Sequence, residues 1–233
     1  MPRFLPALAV LLSLAFAAAG CGGDSGSTSA GTSAAIAQSP GGTATAPAGA
    51  ACRDVPAAAP KQVEEQAPTT RLKRGARHTV TLLTNCGEIR ILLDQRAQPK
   101  TAASFAQLAR DGFFDGLSFH RVVPGFVVQG GDPAGDGTGG PGYSVTEKPP
   151  AGTRYTRGVV AMAKSEMEPA GTSGSQFFIV TAEDAQLPPD YAVIGRVVGD
   201  GMNAADRIEA VPTDATDAPQ RPVVIEKATL SEG

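Results

Sequence analysis

The chain has 233 residues, which is enough for one domain of ordinary size with appended segments. Its 42% hydrophobic content allows a buried core, and its 28 glycines and 19 prolines favour a loop-rich β architecture. The net charge of −3 argues against nucleic acid as a partner and against attraction to an anionic membrane by charge. With 2 histidines and 3 cysteines, a metal site built from these ligands is disfavoured, while a carboxylate site stays open.

The first 21 residues have the pattern of an export signal. Arg3 precedes an almost unbroken apolar run over residues 4–19, which is short for a membrane span and matches a secretory h-region. Ala18-Ala19-Gly20-Cys21 resembles the lipobox of bacterial lipoproteins, although Ala18 stands where Leu is usual. We therefore expect lipidation of Cys21 and a location in the cell envelope, on the extracytoplasmic face of the membrane. The alternative is an ordinary cleaved signal and a secreted protein.

Residues 22–76 are rich in Ala, Gly, Ser, Thr and Pro, with hardly a large apolar side chain. Such a segment buries too little surface to offset its ordering entropy, so the composition predicts a disordered linker. A flexible chain of roughly 50 residues has a root-mean-square span of about 40 Å. This linker would hold the following domain clear of a membrane.

The predicted folded domain covers residues 77–233. Two alternating segments flank Asn85-Cys86-Gly87, which is typical of a β-hairpin. Pro99 begins a predicted helix that runs through Arg110 and ends before Gly112.

Short apolar segments follow the first helix and read as strands. They cover residues 117–123, 126–129, 158–163, 176–181 and 192–198. A second helix is predicted over residues 202–210, and a last strand over residues 223–230. Many short strands with two helices indicate an antiparallel barrel whose openings the helices cover.

Two runs carry the polar residues that suggest chemistry. Because strand side chains alternate between faces, Arg121, Val127 and Gln129 share one face if Pro124-Gly125 bends the chain without a slip. In the second run Gln176 and Phe178 also share a face. One Arg and two Gln among large apolar groups form the kind of surface found in ligand pockets. A solvated arginine beside ordinary core phenylalanines is the alternative.

The two runs together resemble a family signature. Phe-His-Arg-Val-Val-Pro-Gly-Phe-Val-Val-Gln-Gly-Gly-Asp over residues 119–132 and Gly-Ser-Gln-Phe-Phe-Ile over residues 174–179 look like those of cyclophilin-type peptidyl-prolyl cis/trans isomerases. The resemblance extends from about Thr79 to Leu230. It implies an all-β fold, with a closed eight-stranded antiparallel barrel capped by two α-helices. It also implies a proline-binding groove on the outer surface and no cofactor or metal.

Carried over by position, the resemblance makes Arg121 the catalytic residue. The proline pocket would comprise Phe126, Val127, Phe178 and Leu187, with Tyr191 at its rim. The substrate backbone would contact Gln129, Gln176 and main-chain groups around Ala163 and Lys164.

One position departs from the family pattern in a way that bears on inhibitors. Gln186 stands where many members carry Trp, so we expect weak binding of the family inhibitor cyclosporin.

These residue types suit rotation about an X-Pro bond. Rotation destroys amide resonance at a cost of about 18–20 kcal/mol, and it leaves a localised lone pair on the prolyl nitrogen. A guanidinium over that nitrogen would stabilise the twisted state more than the planar one. The expected partners are proline-containing segments of exported proteins, bound by a monomer that touches the membrane only through its lipid. A non-catalytic proline-peptide binding or chaperone module is the alternative.

Cys52 and Cys86 are the two cysteines left after Cys21. The space outside the membrane permits disulfides, so we expect these two to pair and to pin the end of the linker to the first hairpin. Two free thiols are the alternative.

Overall fold

The computed structural model describes residues 51–233. The predicted signal peptide, the lipobox with Cys21 and the first part of the predicted linker lie outside the described residues. The strands in chain order are β1 (His78–Thr84), β2 (Gly87–Leu93), β3 (Arg121–Val123), β4 (Val127–Gly130), β5 (Val145–Thr146), β6 (Val159–Met162), β7 (Thr172–Ser173), β8 (Phe177–Val180), β9 (Val193–Val198) and β10 (Ile225–Glu232). The helices are α1 (Pro99–Arg110) and α2 (Gly201–Glu209).

The predicted hairpin is formed by β1 and β2. Thr84 pairs with Gly87, so Asn85 and Cys86 form a two-residue turn. Gly87 has a φ of 122°, a left-handed conformation that suits a residue without a Cβ. The Asn85 amide donates to the carbonyl of Pro222 at 3.0 Å and ties the turn to the chain before β10.

Eight strands form one curled sheet in the order β10-β1-β2-β9-β6-β8-β4-β3. The predicted closed barrel is wrong in one respect, because the edge strands β3 and β10 do not pair with each other. In residues 51–233, the segments next to these edges share an isolated bridge between Ser118 and Val224 and a few backbone hydrogen bonds, but they form no ladder. The predicted strand over residues 117–123 is regular only from Arg121 onward, and a ladder needs several consecutive pairs. The sheet is therefore a half-barrel, not a closed one.

The inner face of the sheet holds the main core. Val122, Val128, Ile179 and Val160 lie opposite one another on β3, β4, β8 and β6, and each is fully buried. Helix α1 adds its buried face to this core, and its bounds are those predicted. Burial of each such side chain stabilises the fold by about 1.5–3 kcal/mol. The core thus fixes which face of these strands points outward.

A segment that we call the strap, residues 51–76, lies against the sheet without regular secondary structure. The composition predicts disorder up to residue 76, whereas the structure gives the strap defined contacts. Cys52 is bonded to Cys86, and Leu72 is only 8% exposed. The Lys61 N–H donates to the Pro133 carbonyl at 2.8 Å. The strap is poor in large apolar residues, so its composition predicts that burial cannot compensate for the entropy lost on ordering. Its specific contacts, namely a disulfide, one buried side chain and backbone hydrogen bonds, supply that compensation.

Across residues 51–233, no helix is both long and apolar enough to cross a membrane.

Candidate active site

A row of side chains crosses the outer face of the sheet. Arg121 on β3 lies opposite Gln129 on β4, Gln129 lies opposite Phe178 on β8, and Phe178 lies opposite Ala161 on β6. Residues that are opposite each other in a ladder share a face. The row therefore places a cation, an amide and an aromatic ring next to one another.

The bend at Pro124-Gly125 does not disturb this row. Gly125 has a φ of 71°, and the Phe126 N–H donates to the Val123 carbonyl at 3.0 Å, which closes a tight turn. Val123 then pairs with Val127 in register. The predicted shared face of Arg121 and Gln129 is confirmed.

An apolar cluster on the outer face adjoins the row and is separate from the inner core. Val127 and Phe178 are buried in it, while Phe126, Leu187 and Tyr191 are partly buried against it. The rings of Phe178 and Tyr191 meet edge to face, with centroids 5.5 Å apart. All five residues of the predicted proline pocket thus belong to one cluster. Because part of it is open, an apolar ring could enter.

A chain of hydrogen bonds orients the two glutamines. The Gln129 amide donates to Gln176 Oε1 at 3.1 Å. The Gln176 amide donates to the carbonyls of Gly137 and Gly139 at 2.8 and 2.9 Å. The Gly137 N–H donates in turn to Asp132, which is 1% exposed, at 2.6 Å. Sequence reasoning missed this positioning role of Asp132, although the residue ends the first signature run.

Arg121 is half-exposed at the end of the row. Its guanidinium forms an ion pair with Asp217 at 3.3 Å, and the two side chains are 38% and 41% exposed. The Asp217 carbonyl also accepts the Val122 N–H at 2.8 Å, so the loop between α2 and β10 is tied to β3. Asp217 has a φ of 65°, which an aspartate tolerates better than most residues do. No sequence pattern connects Asp217 to Arg121.

The predicted contacts at Ala163 and Lys164 lie beside the glutamines. The Ala163 N–H donates to the Gln176 carbonyl at 2.9 Å. The Lys164 ammonium lies 5.6 Å from the centre of the Tyr191 ring. These two residues therefore connect the glutamine end of the site with its aromatic rim.

Tyr155 holds the rim in place and was also missed by sequence reasoning. Its hydroxyl donates to the Tyr191 carbonyl at 2.7 Å and accepts the Tyr191 N–H at 3.0 Å. Burial raises the pKa of Tyr155 to about 12, so the hydroxyl keeps its proton at neutral pH. A neutral donor at this place fixes the backbone beneath the Tyr191 ring.

Comparison with known families matches residues 79–230 to the family described as cyclophilin type peptidyl-prolyl cis-trans isomerase/CLD. The chain belongs to the cyclophilin family. This family catalyses peptidyl-prolyl cis/trans isomerisation, and the chain is a cyclophilin-type isomerase.

Bacterial cyclophilins are among its relatives. The probable peptidyl-prolyl cis-trans isomerase A of Mycobacterium leprae is 38% identical over 170 residues, which cover 66% of this chain and 92% of that protein. The peptidyl-prolyl cis-trans isomerase B of Streptomyces anulatus is 39% identical over 168 residues, which cover 64% of this chain and 94% of that protein.

A solved structure agrees with the fold. It is the Cryptosporidium parvum cyclophilin type peptidyl-prolyl cis-trans isomerase in the presence of the dipeptide ala-pro, with a TM-score of 0.61 and 30% identity. The match covers 66% of this chain and 99% of that one.

The strap lies outside the part of the chain that matches the family, yet it borders the cyclophilin site. An open cavity of about 1230 Å³ is lined by Gln129 and Gln176 together with strap residues 61–64. The Glu65 N–H donates to the Pro141 carbonyl at 2.8 Å and holds this stretch in place. The groove beside the glutamines is thus built partly from sequence that the family pattern does not include.

Proposed function

We propose that this cyclophilin-type isomerase assists the folding of exported proteins, and that Arg121 is its catalytic residue. The observation that carries the proposal is the outer row, in which Arg121 lies opposite Gln129 and next to the partly open apolar cluster around Phe178. A proline ring that enters the cluster beside Phe126 would present its amide to this row.

In the proposed mechanism Arg121 acts on the prolyl nitrogen. Rotation about the amide leaves a lone pair there, and a guanidinium stabilises this twisted state more than the planar ground state. The apolar cluster holds the ring while Gln129 holds the adjoining backbone, so that rotation proceeds about a single bond. The reaction requires no nucleophile and no proton transfer from the protein.

Asp217 would keep the guanidinium in place between turnovers. Its ion pair with Arg121 spans 3.3 Å and is solvent-exposed, so it restricts the side chain at little energetic cost to substrate binding. We assign Asp217 the role of a positioning residue.

Replacement of Arg121 tests the mechanism. Arg121→Ala is expected to lower kcat/KM on an Ala-Pro peptide about a hundred- to a thousandfold, the usual loss when one transition-state donor is removed. NMR exchange spectroscopy of the peptide measures the rate, and thermal unfolding of the variant checks the fold. An Arg121→Ala protein as active as the wild type would refute the role.

The second candidate is a non-catalytic proline-binding or chaperone module. Comparison of the wild type with Arg121→Ala distinguishes it from the isomerase. A binding module needs the apolar cluster but gains little from the cation of Arg121. Unchanged peptide affinity together with negligible wild-type exchange would favour the module. The cation in the outer row favours the isomerase.

We also propose export to the cell envelope, with the protein acting as a monomer held by a lipid on Cys21. The disulfide between Cys52 and Cys86 supports a compartment outside the cytosol, where such bonds persist. Exported proteins contain prolines whose isomerisation takes tens of seconds, which gives the activity a use there.

Membrane fractionation tests the anchor. Wild-type protein is expected to sediment with membranes, and Cys21→Ala is expected either to release it or to retain the unprocessed signal. Mass spectrometry of the mature N-terminus identifies the lipid directly. A mature protein that begins with a free amine and carries no lipid would leave the secreted form as the correct one.

A further inference from the structure

A second concave surface lies on the outer face of the sheet, away from Arg121. It encloses about 1040 Å³ and is formed by strap residues 71, 72 and 74–76 with the adjoining Arg77, the connection between β2 and α1, the loop before β6, and β9. We call it the basic cleft. Its lining contains neither Arg121 nor the two glutamines of the site described above.

The charge of the basic cleft opposes that of the chain. Its lining includes six arginines and a single carboxylate, Asp94, although the whole chain carries a net charge of −3. The arginines are Arg71, Arg74, Arg77, Arg96, Arg154 and Arg196. Several like charges that converge in a concavity focus a positive potential there.

Most of these guanidinium groups are not neutralised by the protein. Of these six arginines, Arg154 is the only one that forms an ion pair within residues 51–233, and its partner is Asp184. Arg196 instead donates to the Arg157 carbonyl at 2.8 Å. The other four, Arg71, Arg74, Arg77 and Arg96, are exposed and make no ion pair in this part of the chain. Four cations therefore stay available to an anionic ligand.

The strap side of the cleft is held in a defined position. Leu72 is buried in the main core, between two of the arginines. The Gln95 amide donates to the Lys73 carbonyl at 3.1 Å. Arg77 exchanges two backbone hydrogen bonds with Gly233, at 2.9 and 3.0 Å. The arginines thus project from a backbone that is tied to the sheet on both sides of Gly75.

The basic cleft is continuous with the apolar cluster of the active site. Val159 and Val193 belong to the cluster and also line the cleft. Phe178 lies opposite Ala161, and Val159, two residues before Ala161, lies opposite Arg196 on β9. With strands about 4.8 Å apart and a rise of about 3.3 Å per residue, Arg196 is roughly 12 Å from Phe178. An extended peptide covers that distance in about four residues.

We propose that the basic cleft binds an acidic segment of the substrate polypeptide, about four residues from the proline in the active site. The inference rests on the proposed isomerase function and adds a substrate class to it, namely prolines close to a run of Asp or Glu. A concave surface with apolar walls suits an extended chain, whereas a planar membrane would contact a convex surface. Because four arginines of the cleft lack an ion-pair partner in the described residues, the complementary ligand is an acidic chain.

Paired peptides test the specificity. One carries a block of glutamates about four residues from Ala-Pro, and the other carries glutamines at the same places, with the block placed on either side of the proline. At low ionic strength we expect kcat/KM to be about tenfold higher for the glutamate peptide, mainly through KM. The ratio should fall towards one at about 0.5 M salt, where exposed charges are screened.

Two triple variants locate the effect. Arg71→Gln, Arg74→Gln and Arg77→Gln together should reduce the ratio to about one. Lys100→Gln, Arg110→Gln and Lys148→Gln remove the same charge from exposed positions outside the cleft and should preserve the ratio. If the ratio falls equally in both triple variants, the cleft is refuted, because the overall electrostatic field of the protein would then account for the preference.

Failure of the cleft and failure of the isomerase are distinguishable. If the wild type turns over both peptides equally, the cleft is refuted and the isomerase stands. If neither peptide is turned over, binding to the cleft is measured separately, by fluorescence anisotropy with a labelled, proline-free glutamate peptide. Binding that is lost in the first triple variant but kept in the second would support the cleft. Phosphatidylglycerol vesicles that bind in the same Arg-dependent way while this peptide does not would refute the peptide assignment.

Discussion

The two faces of the curled sheet are built from alternate residues of the same strands, yet they serve different ends. On β8, Phe177 and Ile179 point into the main core and are fully buried, whereas Phe178 and Val180 belong to the outer cluster. Neighbours of Phe177 enclose it on every side, including the rings of Phe105 and Phe114 at 5.3 and 5.7 Å. The cluster around Phe178 includes half-exposed members. Apolar residues one step apart in sequence thus belong to different layers, one enclosed in the main core and the other in the cluster to which we assign proline binding.

The largest expected effect separates Phe177 from Phe178. Phe177→Ala should lower the free energy of unfolding by about 3–5 kcal/mol, because it leaves a cavity among packed rings. Phe178→Ala should destabilise less and should raise KM for an Ala-Pro peptide. Urea unfolding and steady-state kinetics on both variants test the contrast. Equal losses of stability with equal kinetics would mean that the outer cluster is simply a second core.

A smaller effect is expected at the rim of the outer cluster, at Gln186. The side chain is exposed and supplies little apolar area to cyclosporin, which would contact an indole at this position in sensitive members. Gln186→Trp should tighten cyclosporin binding by about 2.5 kcal/mol, roughly fifty- to a hundredfold, if about 100 Å² of apolar contact is gained. Isothermal titration calorimetry gives the affinity.

The control for Gln186 is the turnover of Ala-Pro peptides, which we expect to bind deeper, against Phe178. Gln186 has a φ of 52°, so the melting temperature of Gln186→Trp must also be measured to exclude added strain. Tight cyclosporin binding by the wild-type protein would show that the interpretation of Gln186 is incorrect.

The smallest effect concerns His120, which precedes Arg121 on the chain. Burial lowers the pKa of His120, with Arg121 acting in the same direction and Asp132 and Asp136 against it. Because the folded pKa lies below the unfolded value of 6.5, the unfolded chain takes up the proton first as the pH falls. The contribution of His120 to the free energy of unfolding should therefore be fully present above pH 6.5 and should be lost as the pH falls below that value.

Urea unfolding of the wild type and of His120→Gln at several pH values isolates this contribution. The difference between the two proteins should change as the pH falls below 6.5. A difference that is constant across the pH range would contradict the assignment to His120.

Local patterns were the most dependable part of the sequence. The bounds of α1 follow from Pro99 and the apolar spacing, because both act within a few residues. The two-residue turn at Asn85-Cys86 is similarly local. The alternation that places Arg121 and Gln129 on one face needed only an in-register turn at Gly125. The site residues came from resemblance to the family, since spacing alone favoured an ordinary surface arginine beside core phenylalanines.

The sequence by itself therefore determined the family, the alternation of faces and most element positions. The tertiary structure alone decided the open edge between β3 and β10, the ordered strap, and the ion pair between Arg121 and Asp217. It also decided the convergence of arginines from four separate segments into one cleft. Strand and helix signals depend on neighbours a few residues apart, whereas these contacts join distant residues whose approach depends on how the whole sheet curls.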